Sequence, residues 1–126
     1  MIETVKTSLA PSSASLYSQA TSFGEFLFLS GQIPLSVETG EIVGDDIASQ
    51  TSQVLKNLAA VLDAGGSNLS HVLKATCFIT DMAHFSDFNE VYISYFTDHK
   101  PARTTVAVKQ LPRDVLVEID VIAVKK

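Results

Sequence analysis

The chain is short of charged residues, and of positive ones in particular. Its 126 residues include nine Lys and Arg against 14 Asp and Glu, a formal net charge of −5, and its only arginines are Arg103 and Arg113. Proteins that bind nucleic acids or anionic membranes normally present a basic face, which scattered lysines do not form. The composition therefore predicts a protein with no nucleic-acid partner and no membrane partner.

Cysteine and long apolar runs are also scarce. Cys77 is the one cysteine, so the chain cannot form an internal disulfide, which is typical of a reducing compartment. No stretch approaches the ~18 consecutive apolar residues of a membrane span. The first residues, with Glu3 and Lys6, lack the apolar core of a signal peptide. We therefore expect a cytoplasmic protein.

What the sequence has in excess is apolar character. Hydrophobic residues make up 46% of the chain and charged residues 18%, whereas about 25% charged residues is usual for soluble domains. The mean hydropathy is accordingly positive, at +0.24. We expect part of this apolar surface to face a partner.

Apolar periodicity divides the chain into strands and helices. No repeat, low-complexity tract or linker separates its parts, so residues 1–126 are expected to form one domain. Asp45 or Asp46 can cap a first helix and Gly65-Gly66 can end it, while Asp81 can cap a second. Helices are predicted at residues 46–64 and from 81 to the Lys100-Pro101 pair, and strands at residues 25–30, 72–80, 103–109 and 115–124, with weaker strands possible before residue 20.

This order of elements predicts an α+β architecture. Two helices, each about 10 Å wide, can cover one face of a mixed, mainly antiparallel sheet of about five strands. The last two strands, joined by residues 110–114, are expected to form a hairpin. The strand at 115–124 is apolar on both faces, so we expect another subunit to cover the second face of the sheet. A homo-oligomer follows from this pattern.

Two charged residues in the predicted strands could carry chemistry. The guanidinium of Arg103 offers a planar fork of donors that suits a carboxylate or a phosphate, or it pairs with a surface acid at the sheet edge. Glu118 lies among apolar residues, where burial would raise its pKa and suit it to general acid–base work. The alternative is a solvent-facing residue on the same strand face as Asp120.

The remaining reactive residue types indicate no metal site. The three histidines, His71, His84 and His99, show no ligand spacing with one another or with Cys77. Cys77 lies in an apolar strand, which favours a buried small hydrophobe over a nucleophile.

Motifs along nearly the whole chain match the pattern of one family. They are Ala10-Pro11, Tyr17-Ser18-Gln19, Leu29 to Pro34 (LSGQIP), Thr80-Asp81-Met82 and a closing pattern from Pro101, PAR-x-x-V-x-V-x-x-LP-x-x-x-x-VEI-x-x-IA. The closing pattern is more specific than any short loop motif in the chain. On these residues the sequence resembles the reactive intermediate deaminase family, RidA or YjgF.

The resemblance implies a fold, an assembly and an activity. The fold is chorismate-mutase-like α+β, assembled as a homotrimer with active sites in the clefts between adjacent subunits. The activity is the hydrolysis of short-lived 2-imino or enamino acids to 2-keto acids and ammonia, with no cofactor. The expected partners are therefore a small imino or keto acid and further copies of this chain.

The resemblance also assigns roles to individual residues. It implies that Arg103 binds the substrate carboxylate, that Glu118 activates water and that Tyr17 is the pocket tyrosine. The pocket-lining positions of the family fall on four further residues, Ser30, Gly31, Asn89 and Thr105. The chain departs from the usual pattern at Ser15-Leu16, where the family has Gly-Pro, and at Thr105, where it has cysteine.

Two other functions remain open at this point. The same cleft could hold 2-keto or other small carboxylic acids as a sensor without turnover, and only Glu118 distinguishes that function from hydrolysis, because both use Arg103. An RNA-cleaving activity has also been attached to the family. It requires a basic surface, which a chain of net charge −5 does not predict.

Overall fold

A single mixed sheet organises the chain, for which the computed structural model describes residues 1–13 and 15–126. The sheet has six strands, whereas the sequence predicts about five. The strands are β1 (Glu3–Val5), β2 (Ala20–Phe23), β3 (Phe26–Leu29), β4 (Val72–Ile79), β5 (Ala102–Ala107) and β6 (Val117–Val124), and the α-helices are α1 (Ile47–Ala64) and α2 (Phe85–Tyr95).

The strand order corrects one prediction. The sheet runs β1-β2-β3-β6-β4-β5, with β4 and β5 parallel and every other pair antiparallel. The predicted hairpin of the last two strands is therefore wrong, since β4 lies between them. Strand β6 takes a central position: one face is wholly apolar and the other carries Glu118 and Asp120 beside Ile122 and Val124. Strand β5, with two threonines, forms an edge of the sheet.

Helix α1 begins and ends where its caps predict. The Asp46 carboxylate accepts a hydrogen bond from the backbone N–H of Ser49 at 2.7 Å. The chain leaves the helix through Gly65 and then Gly66, whose φ of +81° lies in the left-handed region that favours glycine. The face of α1 that carries Val54, Leu58 and the other spaced apolar residues is buried against the sheet.

Helix α2 is shorter than the sequence predicts. Asp81 caps a short 3-10 turn at Met82–His84 by accepting from the N–H of Ala83 at 2.9 Å, and α2 follows. It ends at Tyr95 rather than near Lys100, because Phe96 leaves the helical conformation (φ −112°, ψ 67°) and its side chain enters the core. The imidazole Nε2 of His99 then lies 2.8 Å from the Val72 carbonyl oxygen, next to the sheet.

The two faces of the sheet differ in burial. Along β6, residues 117, 119, 121 and 123 are buried on the face that packs on the helices, and the alternate residues are partly exposed. This second side, which we call the open face, also carries Phe26 and Phe28, exposed by 47% and 45%. The observed layout confirms the predicted fold class. Coverage of the open face by another subunit stays a prediction.

Two smaller expectations concern single features. Cys77 is completely buried, and this burial raises the pKa of its thiol to about 12, so it is a core residue as predicted and not a nucleophile. Within the described parts of the chain, no helix is both long and apolar enough to cross a membrane.

Candidate functional site

Arg103 lies on edge strand β5 with its side chain against α2. Its Nη1 donates to the Asn89 side-chain oxygen at 2.8 Å, so the partner is a carboxamide and not the surface acid of the alternative interpretation. The guanidinium carbon lies 4.8 Å from the ring centroid of Tyr92. A guanidinium that has one neutral partner keeps donors for an anionic ligand.

The surroundings of Arg103 form an open cleft of about 390 Å³. Its walls are mostly apolar, and the lining residues are Asn89, Tyr92, Ile93, Phe96, Lys100, Pro101 and Arg103. Thr105 lies two residues further along the same face of β5, and its hydroxyl is buried with no hydrogen-bond partner among the described residues. We call Arg103, Asn89 and Thr105 the arginine group.

Glu118 lies on β6 and lines a different cleft, of about 350 Å³. Its carboxylate packs directly on the backbone of Gly31, where the Cβ of any other residue would collide with Oε2. Partial burial, and then the nearby Asp120, raise the pKa of Glu118 above its ordinary value. The side chain does share the open face with Asp120, as the alternative interpretation proposed, but it is partly buried there.

The rest of this second cleft comes from two loops. Tyr17, Ser30 and Gly31 line it together with Ile33 and Pro112. The hydroxyl of Ser30 donates to the Ser18 carbonyl at 2.7 Å, so Ser30 also fastens the loop that carries Tyr17. We call Glu118, Tyr17, Ser30 and Gly31 the glutamate group.

Gln19 is a residue whose structural role the sequence does not reveal. Its side-chain nitrogen donates to the carbonyls of Thr7, Ala10 and Pro11 at 3.1, 3.0 and 3.0 Å, and its oxygen accepts from the Thr7 N–H at 2.8 Å. The buried carboxamide thereby holds the N-terminal loop against the segment that follows Tyr17. Its place two residues after Tyr17 in the Tyr17-Ser18-Gln19 motif was the available signal.

The arginine group and the glutamate group lie on opposite faces of the sheet. In the parallel register Arg103 pairs with Ala75, which is buried on the helix side, whereas Glu118 pairs with Phe78 on the open face. Successive side chains of a strand point to opposite faces of the sheet, and residues paired across two strands point to the same face. Because Ala75 and Phe78 are three residues apart on β4, their partners Arg103 and Glu118 lie on opposite faces. One chain therefore places Arg103 and Glu118 where a single small molecule cannot reach both.

No cluster in the described residues has the composition of a metal site. Groups of three or more His, Cys, Asp or Glu side chains that could hold an ion are absent from residues 1–13 and 15–126. The two clefts instead offer a cation, a carboxyl and hydroxyls. This set of groups suits a small organic anion and acid–base chemistry.

Nearly the whole chain is similar to known proteins. A family model described as "Endoribonuclease L-PSP" matches residues 7–125. A RutC family protein of Pyrococcus horikoshii is 50% identical over 126 residues, which covers 100% of both chains. The chain belongs to the RidA/YjgF family.

Solved structures agree with this RidA/YjgF assignment. RidA from an Antarctic Psychrobacter is 34% identical with a TM-score of 0.92, over 97% of this chain and 98% of that chain. Escherichia coli TdcF, solved with bound serine, is 38% identical with a TM-score of 0.93, over 98% of this chain and 99% of that chain. These similarities confirm the RidA/YjgF fold that the closing sequence pattern predicts.

Proposed function

We propose that the protein hydrolyses reactive 2-imino or enamino acids to 2-keto acids and ammonia. The site would form between two chains of a homotrimer, with the arginine group from one chain and the glutamate group from its neighbour. The proposal includes no cofactor, no nucleic acid and no membrane, and a cytoplasmic location.

The observation that carries the proposal is the placement of Arg103 and Glu118 on opposite faces of one sheet. Each residue lines its own open cleft, and each cleft holds one half of what the reaction needs. Edge strand β5 and the apolar open face are both surfaces that a second copy can cover. A neighbouring chain would then bring a glutamate group to each arginine group.

Arg103 would bind and orient the substrate carboxylate. Its Nη1 donates to Asn89 and its guanidinium carbon lies 4.8 Å from the Tyr92 ring centroid, which leaves donors for a bidentate pair. Binding at this end fixes the position of the adjacent C=N carbon. Such orientation is worth up to ~7–11 kcal/mol in ideal intramolecular cases.

Glu118 would move the protons. As a carboxylate it takes a proton from water while the water oxygen bonds to the C=N carbon and the C=N π electrons move to the nitrogen, and it then gives that proton to the nitrogen. As the C–N bond breaks, Glu118 takes the second proton from the hydroxyl that becomes the ketone, and this proton passes to the released ammonia. The water oxygen becomes the ketone oxygen, and both water hydrogens leave on the ammonium ion. Because a protonated iminium is already electrophilic, the reaction requires no enzyme nucleophile and no metal. The raised pKa of Glu118 suits a group that must both accept and donate a proton.

The alternative is a protein that binds small carboxylic acids without turnover. It is favoured by one relative, since TdcF was solved with bound serine. Both functions use Arg103, so ligand affinity alone cannot separate them. The RNA-cleaving alternative draws on the description of the family model, and the net charge of −5 argues against it.

The test couples a pyridoxal-phosphate-dependent threonine or serine dehydratase to the purified protein and follows disappearance of the released imine. We expect the protein to accelerate ammonia formation, Arg103→Ala to abolish the acceleration, and Glu118→Gln to bind a 2-keto acid without turnover. Turnover by Glu118→Gln would contradict the assignment of the base. Wild-type binding without any acceleration would favour the sensor. Cleavage of RNA with a steep salt dependence would favour the nuclease.

A further inference from the structure

One face of α2 provides the side-chain hydrogen bond and the three aromatic rings that lie around the Arg103 guanidinium. The guanidinium carbon lies 4.8 Å from the ring centroid of Tyr92 and 5.7 Å from each of the Phe85 and Phe88 centroids. Asn89, which accepts the hydrogen bond from Nη1, projects from the same helix face. Steps of three and four residues bring these side chains together on a helix.

Tyr92 is the ring of this group that lies closest to Arg103, and it is packed between two other rings. It stacks between Phe88 and Phe96, with centroid separations of 5.7 and 4.7 Å and interplanar angles of 40° and 35°. Both flanking rings are buried. Packing on two sides restricts the rotation of this ring away from the guanidinium.

The hydroxyl of Tyr92 does not explain why this ring lies here. It is buried and makes no hydrogen bond among the described residues. Burial raises the pKa of Tyr92 to about 12, and the phenol is therefore neutral at ordinary pH. What Tyr92 offers to Arg103 is the negative face of its ring, which attracts a cation.

We propose that Tyr92 is a positioning residue whose ring face holds the Arg103 guanidinium in the orientation that presents two donors to the substrate carboxylate. The inference rests on the proposed function for the assignment of carboxylate binding to Arg103. The hydrogen bond to Asn89 fixes one nitrogen, but the plane can still turn about that point. The ring of Tyr92 fixes the plane, so less freedom is lost when the carboxylate binds.

The experiment replaces Tyr92 with phenylalanine, with phenylalanines of increasing ring fluorination, and with leucine. Fluorination weakens the attraction of the ring for a cation and leaves its shape nearly unchanged. The readouts are the Kd for 2-oxobutanoate, KM and kcat for the imine, and the mobility of the Arg103 Nε–H by NMR without ligand. Tyr95→Leu is the matched control, because Tyr95 lies on the same helix and its hydroxyl pairs with Ser52 rather than with Arg103.

We expect Arg103 to be as immobile in Tyr92→Phe as in the wild type, because the ring face that holds the guanidinium is kept. Kd and KM should rise progressively with fluorination and by about 3- to 30-fold in Tyr92→Leu, with kcat nearly constant and Arg103 more mobile. A flat response across the fluorinated series, or an equal rise in Tyr95→Leu, would show that the ring acts by packing alone and would overturn the inference. If the wild type binds no keto acid while Arg103 mobility still follows the ring series, the proposed function fails and the positioning role stands.

Discussion

Arg103 has an asymmetric environment at the level of single residues. Aromatic rings and Asn89 approach its guanidinium from α2, and the opposite side faces an open cleft. Lysine would keep the positive charge of Arg103, but its ammonium group cannot reproduce the planar fork of donors. Substitution by lysine therefore separates charge from shape.

We predict that Arg103→Lys loses most of the proposed activity and keeps the fold. Losing one of two charge-assisted hydrogen bonds costs about 1.5–3 kcal/mol, which corresponds to about 10- to 100-fold in kcat/KM. Ammonia release from a freshly generated imine measures the loss, and circular dichroism checks the fold. Arg113→Lys, which changes the other arginine of the chain, is the control. Full activity in the Arg103 variant would contradict carboxylate binding by a planar fork.

Glu118 makes stability depend on pH in a definite direction. Burial and the nearby Asp120 raise its folded-state pKa above the ordinary value of 4.5, so the folded chain binds this proton more tightly than the unfolded chain does. The resulting stabilisation is complete below about pH 4.5 and is lost as the pH rises through the raised pKa. At neutral pH the ionised carboxylate therefore destabilises the fold.

We predict that Glu118→Gln is more stable than the wild type at pH 7 and that this advantage shrinks towards pH 4. The neutral amide cannot ionise, so the variant avoids the cost of a partly buried charge. Urea unfolding from pH 4 to 8 measures the difference, with the exposed loop residue Glu41→Gln as the control. An advantage that grows as the pH falls would contradict the sign.

At the level of elements, the turn between β5 and β6 holds unusual backbone conformations. Arg113 and Asp114 both have φ of +56°, in the left-handed region that disfavours residues with a side chain. The neighbouring Pro112 lines the cleft of Glu118. Backbone strain persists where the surrounding structure holds a loop in a conformation that the loop would not adopt alone, and it is often found beside functional sites.

We predict that Arg113→Gly raises the free energy of unfolding by about 1 kcal/mol. Relief of a left-handed non-glycine conformation is worth about 1–3 kcal/mol, and the entropy of glycine offsets about 0.5–1 kcal/mol of it. The Arg113 Nη1 contact with the Gly40 carbonyl, at 3.4 Å and exposed, contributes little. Chemical denaturation measures the change, and Arg113→Lys should leave stability unaltered. A destabilised glycine variant would contradict the strain.

The sequence predicts a structural element well when neighbouring residues determine it, and poorly when residues distant in the chain do. Local signals located α1 within one residue, because the cap at Asp46 and the glycine end at Gly66 act over a single turn. They failed where distant contacts decide. Strand β6 pairs with β3 and β4 instead of β5, and α2 ends early because Phe96 enters the core.

For the candidate site too, the local sequence reveals some features, and others depend on distant contacts. The scarcity of arginine and the apolar strand around Glu118 marked Arg103 and Glu118 as candidates, and the family resemblance implied their roles. That they face opposite sides of the sheet depends on the registers of β4 with β5 and of β4 with β6, which no local pattern contains.

At the level of the whole molecule, charge and apolar surface bear on the same question. A chain of net charge −5 does not steer an anion towards itself, so an anionic substrate would depend on the local field of Arg103 in its cleft. The apolar excess of the sequence appears in part as exposed Phe26 and Phe28 on the open face. Coverage of that face by a neighbouring chain would also enclose the cleft of Glu118 and strengthen the electrostatic interactions within it.

The proposed intersubunit site predicts that two inactive variants restore activity when they are refolded together. Arg103→Ala lacks the arginine group's cation and Glu118→Gln lacks the base, so neither homotrimer should turn over. After denaturation and joint refolding, a site is intact when its Arg103 comes from a Glu118→Gln chain and its Glu118 comes from a neighbouring Arg103→Ala chain. Random assembly of equal amounts of the two variants gives this combination at about one quarter of the sites.

Ammonia release near that fraction of wild-type activity supports an intersubunit site. Separately refolded variants, mixed afterwards without exchange, are the control and should stay inactive. No recovery in stable mixed trimers would mean that both residues must come from one chain, which the opposite faces of its sheet argue against.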